Sequence, residues 1–274
     1  MYRFTAIWVL IFLSLFAANA QSYNDWGEKA MKAIDTKDWA EAVVCFKSAL
    51  RAEPGNSQNA ILLSNMGTAL REMGKPREAI ETYNHALLFA PKSVTLLLNR
   101  AAVLLQTDSI AAAKRDYDRA IELDANSIDA LNSRALLRLS LKDTAGARED
   151  WDRVLLLKPY HFGAKSGMAL YYKIRGQFAE SERIYNSLLE TNPTNVSLLM
   201  QRAELFYMSG KANRALTDVN KLIETDKTDS YAFMLRGKIY VALFERKLAF
   251  FDFETARKMG HDPREVSAWL RKVK

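Results

Sequence analysis

The chain has 274 residues, of which 49% are hydrophobic and 26% charged, so there is apolar surface for a sizeable core. Glycine (11) and proline (6) are sparse, which disfavours an all-β or disordered chain. The net charge of +7 is spread among acids and forms no basic stripe, so nucleic-acid binding is not expected.

Residues 1–20 read as a secretory leader. Arg3 supplies a short positive start, Phe4 to Phe16 is nearly all apolar, and Ala18-Asn19-Ala20 has the small-x-small pattern of a cleavage site. The apolar run is shorter than the roughly 18 residues of a bilayer span. Cleavage is expected after Ala20, which makes the mature chain secreted or periplasmic, with no membrane insertion. An uncleaved leader acting as a membrane anchor is the alternative. The single cysteine, Cys45, cannot form an internal disulfide and reads as a small buried apolar residue.

From residue 21 onward the chain is periodic. The stretch Ala113, Asp116, Tyr117, Ala120 returns as Ala147, Asp150, Trp151, Val154 and again as Ala249, Asp252, Phe253, Ala256. From Tyr117 to Trp151 is 34 residues, and from Trp151 to Tyr185 another 34. Counting from these aromatics gives seven units over residues 21–262, with starts near Tyr23, Ala60, Val94, Ile128, Phe162, Val196 and Ser230. The first step is longer, and the additional residues are expected in the turn Pro54 to Asn59.

Each unit reads as two helices, A and B. In the third unit, helix A is expected from about Val94 to Leu105 and helix B from about Ile110 to Leu123, with a break at Thr107-Asp108-Ser109. Gly74, Gly176 and Gly210 mark the same break elsewhere. Pro54, Pro91, Pro159 and Pro193 stop helix B. Small residues recur in register, Ala30, Gly67, Ala101, Ala135, Ala169, Ala203 and Gly237 on helix A and Ala42, Ala79, Ala113, Ala147, Ser181, Ala215 and Ala249 on helix B. They allow close helix crossing, and the helix B aromatic is expected to fill the gap toward the next unit. One hairpin cannot bury its apolar face alone, but stacked neighbours can.

This pattern resembles the tetratricopeptide repeat over nearly the whole mature chain, with Trp26 matching the tryptophan of the family's first helix. The resemblance implies an all-α, right-handed solenoid. Residues 263–274 resemble the helix that caps such arrays, with Val266, Trp269 and Leu270 covering the exposed end.

Four units carry arginine at the seventh residue, Arg100, Arg134, Arg202 and Arg236, and the same four carry aspartate sixteen residues on, Asp116, Asp150, Asp218 and Asp252. The other three hold Lys29 with Cys45, Met66 with Thr82, and Met168 with Ile184. An unpaired charge in a helix seam is costly, so the two types are expected to be retained or lost together as ion pairs.

No catalytic constellation, metal site or cofactor motif is found. His85, His161 and His261 are isolated, and His161 is expected to be solvated or to cap a helix. In the resembled family the face lined by helix A takes extended peptides. In this chain that face is expected to hold Asn65, Asn99 and Asn132, then Leu98, Leu136, Leu170, Met200, Gln201, Tyr207 and Tyr231, with Ser133 and Gly167 interrupting the asparagines. Asparagine can both donate to and accept from a peptide backbone. Ser64 and Thr68 stand where the family's carboxylate clamp would need lysine and asparagine. The function expected is a non-catalytic scaffold that binds a protein or peptide segment of unknown identity. The alternatives are a self-associating structural component and an accessory subunit of envelope carbohydrate or signalling machinery.

Overall fold

The computed structural model describes residues 23–273, so the leader lies outside the described residues. Among them are fifteen helices and no strand. In chain order they are α1 (23–35), α2 (Trp39–Ala52), α3 (Asn59–Glu72), α4 (Pro76–Phe89), α5 (Val94–Gln106), α6 (Ile110–Leu123), α7 (Ile128–Ser140) and α8 (Thr144–Leu157). There follow α9 (Phe162–Ile174), α10 (Phe178–Thr191), α11 (Val196–Met208), α12 (Ala212–Thr225), α13 (Ser230–Ala242), α14 (Arg246–Lys258) and α15 (Pro263–Val273). Two compact units divide the chain, Met1–Arg134 and Ala135–Lys274. Within each, successive helices pack on their neighbours as a solenoid of hairpins.

The reversal from A to B is built the same way each time. Lys37, Gly74, Asp108, Lys142, Gly176, Gly210 and Phe244 all have φ between 56° and 75°. The next residue's N–H bonds a carbonyl five residues back, as in Lys75 to Leu70 (2.9 Å), Asp143 to Arg138 (2.8 Å) and Glu245 to Tyr240 (2.9 Å). This left-handed cap satisfies the carbonyls that helix A leaves open and turns the chain sharply. Only glycine adopts that conformation without steric penalty, yet four of the seven positions hold another residue. Side-chain caps start many helices: Asp38, Ser93, Asp143, His161, Asn195 and Asp229 each accept a backbone N–H from the first turn. For His161 the acceptor is Nδ1, 3.1 Å from the Ala164 nitrogen.

The longer first step is absorbed between α2 and α3. There the buried Asn59 side chain donates to the carbonyls of Glu53 and Pro54, both at 2.9 Å, and pins the wider turn.

The core of unit 1 joins Ala30, Ala42, Phe46, Ala69, Ala79 and Tyr83. In unit 2, Tyr185, Leu198, Phe206, Val219 and Ile239 form one cluster, and Met234, Phe253, Val266 and Leu270 form a second under α15. The aromatics do not all point toward the following hairpin. A Cβ on Gly67 would meet the Tyr83 ring at 2.8 Å, and one on Gly237 would meet Phe253 at 2.5 Å, so these two rings lie on the A helix of their own hairpin. The small residue at that crossing decides where the ring goes. Trp151, by contrast, lies over Gly167 of the next hairpin.

Candidate functional site

Arginines of the A helices form a polar ladder with the B helices. Arg100 donates Nε and Nη2 to Asp116 at 2.8 and 2.6 Å, Arg202 to Asp218 at 2.7 and 2.8 Å, and Arg236 to Asp252 at 2.7 and 2.8 Å. These aspartates are buried, and bidentate charge-assisted bonds suit them there. Each arginine has a second partner that inspection of single hairpins misses. Arg100 Nη1 donates to Asn84 at 2.7 Å, Arg202 to Asn186 at 2.8 Å and Arg236 to Asn220 at 3.0 Å. Arg134 likewise reaches Asp118 at 2.8 Å. These acceptors sit on the B helix of the preceding hairpin, sixteen residues before the arginine. Arg100, Arg202 and Arg236 each therefore tie their own B helix to the previous one. Asp150 accepts from Arg138 at 2.9 Å, a residue the sequence pattern did not single out.

The hydrogen bond to Asp252 holds the Arg236 guanidinium above its ordinary value, so its charge is permanent.

The expected groove residues divide between the two units. In unit 1, Asn65 on α3 is half-buried with its Nδ2 3.5 Å from Met31 Sδ on α1. Asn99 on α5 and Asn132 on α7 are also half-buried. Ser133, the next residue, hydrogen-bonds the Tyr117 hydroxyl. The asparagine row is thus interrupted at Ser133 by this hydrogen bond and at Gly167 for a steric reason. The register position is met by the aromatic of the preceding hairpin, and the Trp151 indole leaves no room for any side chain at Gly167.

In unit 2, Leu136 is exposed on α7 and Met200 packs against the core from α11. Gln201 and Tyr231 share one network with two residues not anticipated from sequence, Lys173 and Glu204, and Tyr207 lines the cavity beside it. The buried Lys173 Nζ donates to Gln201 Oε1 at 2.7 Å and to Glu204 Oε2 at 2.8 Å. The Tyr231 hydroxyl donates to the other Glu204 oxygen at 2.9 Å. Burial, then the Glu204 carboxylate, push the Tyr231 hydroxyl up to about 12, so it remains a donor at neutral pH. Three A helices, α9, α11 and α13, are joined by this chain of bonds. A cavity of about 270 Å³ opens beside it, lined by Glu204, Tyr207, Met208, Tyr231, Met234 and Lys238 among others.

The network continues into the last helix. Lys238 donates to Glu265 at 2.6 Å, and His261 Nε2 lies 3.1 Å from the same carboxylate. His261, isolated in sequence, therefore has close neighbours. The Lys238 bond, and with it His261, hold Glu265 below the ordinary carboxylate range. A register argument could have found Glu204 and Lys238. They occupy the ninth residue of their units, where the two preceding units hold Leu136 and Leu170.

Hairpins of this length, stacked through small residues and closed by a C-terminal helix, define an α-solenoid repeat protein built to present surface. The chain belongs to the tetratricopeptide repeat family. The family model for the tetratricopeptide repeat matches residues 64–128. The crystal structure of a tetratricopeptide repeat protein from Parabacteroides merdae is 34% identical, covers 92% of this chain and 99% of its own, and superposes with a TM-score of 0.77. Two more distant likenesses show the fold alone. PilW, a type IV pilus biogenesis factor, is 18% identical over 79% of this chain and 98% of its own, with a TM-score of 0.69. YrrB, a TPR protein with an unusual peptide-binding site, is 17% identical over 69% of this chain and 97% of its own, with a TM-score of 0.52. No curated protein matches the chain. The family is generally non-catalytic and binds protein or peptide partners. Among the described residues no helix is long and apolar enough to cross a membrane.

Proposed function

We propose that this protein is an exported, non-catalytic interaction module that holds an extended segment of a partner protein against the A-helix face. The observation that carries this reading is the cavity beside Glu204 and Tyr231. Tyr207, Met208 and Met234 give it apolar walls, while Glu204 and Lys238 put one charge of each sign at its edge. Tyrosine and methionine adapt to varied side chains at low entropic cost, and the fixed Tyr231 hydroxyl offers orientation. Asn65, Asn99 and Asn132 supply backbone-compatible groups on the corresponding face of unit 1. The apolar leader ending Ala18-Asn19-Ala20 supports export, with Gln21 as the first mature residue.

The reading is tested by photo-crosslinking in envelope extract of the source organism. A benzoylphenylalanine placed at Tyr231 is expected to capture a defined partner, and one placed at the exposed Leu88 on α4 is not. Changing Asn65, Asn99 and Asn132 to alanine, or Glu204→Gln with Tyr207→Ala, is expected to reduce capture from position 231. Equal capture from Leu88, or capture indifferent to both sets of changes, overturns the groove. Amino-terminal sequencing of the native protein should read from Gln21; a chain retaining residues 1–20 overturns cleavage.

A further inference from the structure

The ladder is interrupted in the fifth hairpin, where Met168 and Ile184 stand in the places of arginine and aspartate. In the sixth hairpin Arg202 spans the corresponding gap, reaching Asp218 on its own hairpin and Asn186 on the previous one. In the fifth nothing charged spans it. Asp152, which stands where Asn186 does relative to the seam, turns instead to Arg148 at 3.3 Å. A cavity of about 400 Å³ opens there, between α8 and α10 and floored by α9. Leu155, Met168, Tyr172 and Ile184 give it an apolar floor, and Lys165 and Arg183 stand at its edge. Its size is within the range of sites that hold a large side chain or small ligand.

The two cations have no carboxylate. Lys165 lies 4.8 Å from the Tyr160 ring, and neither Lys165 nor Arg183 takes part in an ion pair among the described residues. No acidic residue lines the cavity. The site is also separate from the A-helix face. Lys165, Met168 and Tyr172 form one stripe along α9, and Leu170, two residues on from Met168, projects roughly 200° around the helix.

We propose that this cavity is a second binding site, which takes a bulky apolar side chain of a partner polypeptide with an acidic residue beside it. The apolar group replaces the contacts that an arginine stem makes in the other hairpins. The acidic neighbour supplies the carboxylate that Lys165 and Arg183 lack, with Arg183 able to hold it in bidentate fashion. Charge complementarity selects this occupant over a purely apolar or a basic segment.

The test uses the purified protein and three fluorescent-labelled, end-blocked hexapeptides. One has a central phenylalanine flanked by glutamates, the second has glutamines for the glutamates, and the third has alanine for the phenylalanine. The first is expected to bind saturably, with a Kd of about 1 mM or below, and each control about tenfold more weakly. Met168→Arg together with Ile184→Asp restores the residue types of the intact hairpins and fills the gap. It is expected to weaken binding of the first peptide about tenfold, as is Arg183→Glu, whose exposed position spares the fold. Glu204→Gln on the other face is expected to leave it unchanged, which separates failure here from failure of the groove reading. The proposal is overturned if the first peptide shows no saturation at about 5 mM, if the three peptides bind alike, or if Arg183→Glu has no effect. It is overturned in favour of a second copy of this chain if the protein self-associates and the Met168→Arg, Ile184→Asp pair abolishes that association.

Discussion

The ladder makes a quantitative prediction at Asp218. Its side chain is 2% exposed and accepts two bonds from Arg202, at 2.7 and 2.8 Å. Asp218→Ala leaves the Arg202 charge in the seam without its counterion. Removing one partner of a buried pair costs about 3–5 kcal/mol. Arg202 retains its bond to Asn186 and its side chain is 17% exposed, so water reaches part of the guanidinium and the lower end applies, about 3 kcal/mol. The natural alternative is already present one hairpin earlier. Copying it, Arg202→Met with Asp218→Ile, removes both charges and both desolvation penalties, and should change stability by less than about 1 kcal/mol. The coupling between the two sites is then about 2 kcal/mol or more. Urea unfolding of the wild type, of Arg202→Met and Asp218→Ile singly and of their double, with Asp218→Ala alongside, followed by circular dichroism, measures it. If the double loses as much as the sum of the singles, the aspartates and arginines are not retained for each other's sake, and the explanation of their joint absence at Met168 and Ile184 fails.

Phe244→Gly should stabilise the protein by about 1 kcal/mol, because a bulky residue at φ 64° loses its steric penalty, partly offset by the greater freedom of glycine when unfolded. Calorimetry should show the melting temperature rising by about 2–4 °C, and a fall would refute the strain argument. Gly167→Asn, which would extend the asparagine row, should destabilise by about 1–3 kcal/mol because the Trp151 ring occupies the space of the new side chain. Unchanged stability in a denaturant titration would mean the indole moves aside freely.

The repeat period exposed the fold because the same physical requirement recurs in each hairpin. Small residues must meet at each crossing, so Ala101, Ala135, Ala169 and Ala203 stand in register and the family is identifiable from one sequence. The first half of the ladder was visible for the same reason, since arginine and aspartate appear together. Its second half was hidden. Asn84, Asp118, Asn186 and Asn220 belong to the hairpin before, and on their own helices they look like ordinary surface polar residues. The left-handed turn was only partly visible. Gly74, Gly176 and Gly210 announce it, whereas Lys37, Asp108, Lys142 and Phe244 adopt the same backbone without the residue that advertises it. The groove was least visible. Asparagine at a register position says which face a residue occupies, but Gly167 shows that an aromatic from another hairpin decides whether that face is open.

A residue type present in every hairpin serves the stack, because each hairpin must solve the same packing problem. Binding specificity therefore has to come from residues that depart from the register. The first two hairpins also lack the pair, with Lys29 and Cys45 and with Met66 and Thr82, but in the last three hairpins the departures lie beside cavities. Lys173, Glu204 and Lys238 place charges on the A-helix face, where the first two join Gln201 and Tyr231 in one network and Lys238 pairs with Glu265, while Met168 and Ile184 remove charges from the seam. An added charge in a helix face costs desolvation and is tolerated here because Lys173 and Glu204 satisfy each other at 2.8 Å. A deleted pair costs little in itself but leaves a cavity, and an empty cavity lowers stability in proportion to its volume. Neither departure improves the stack, which is why recognition is proposed at both, on opposite sides of α9, in the unit from Ala135 to Lys274.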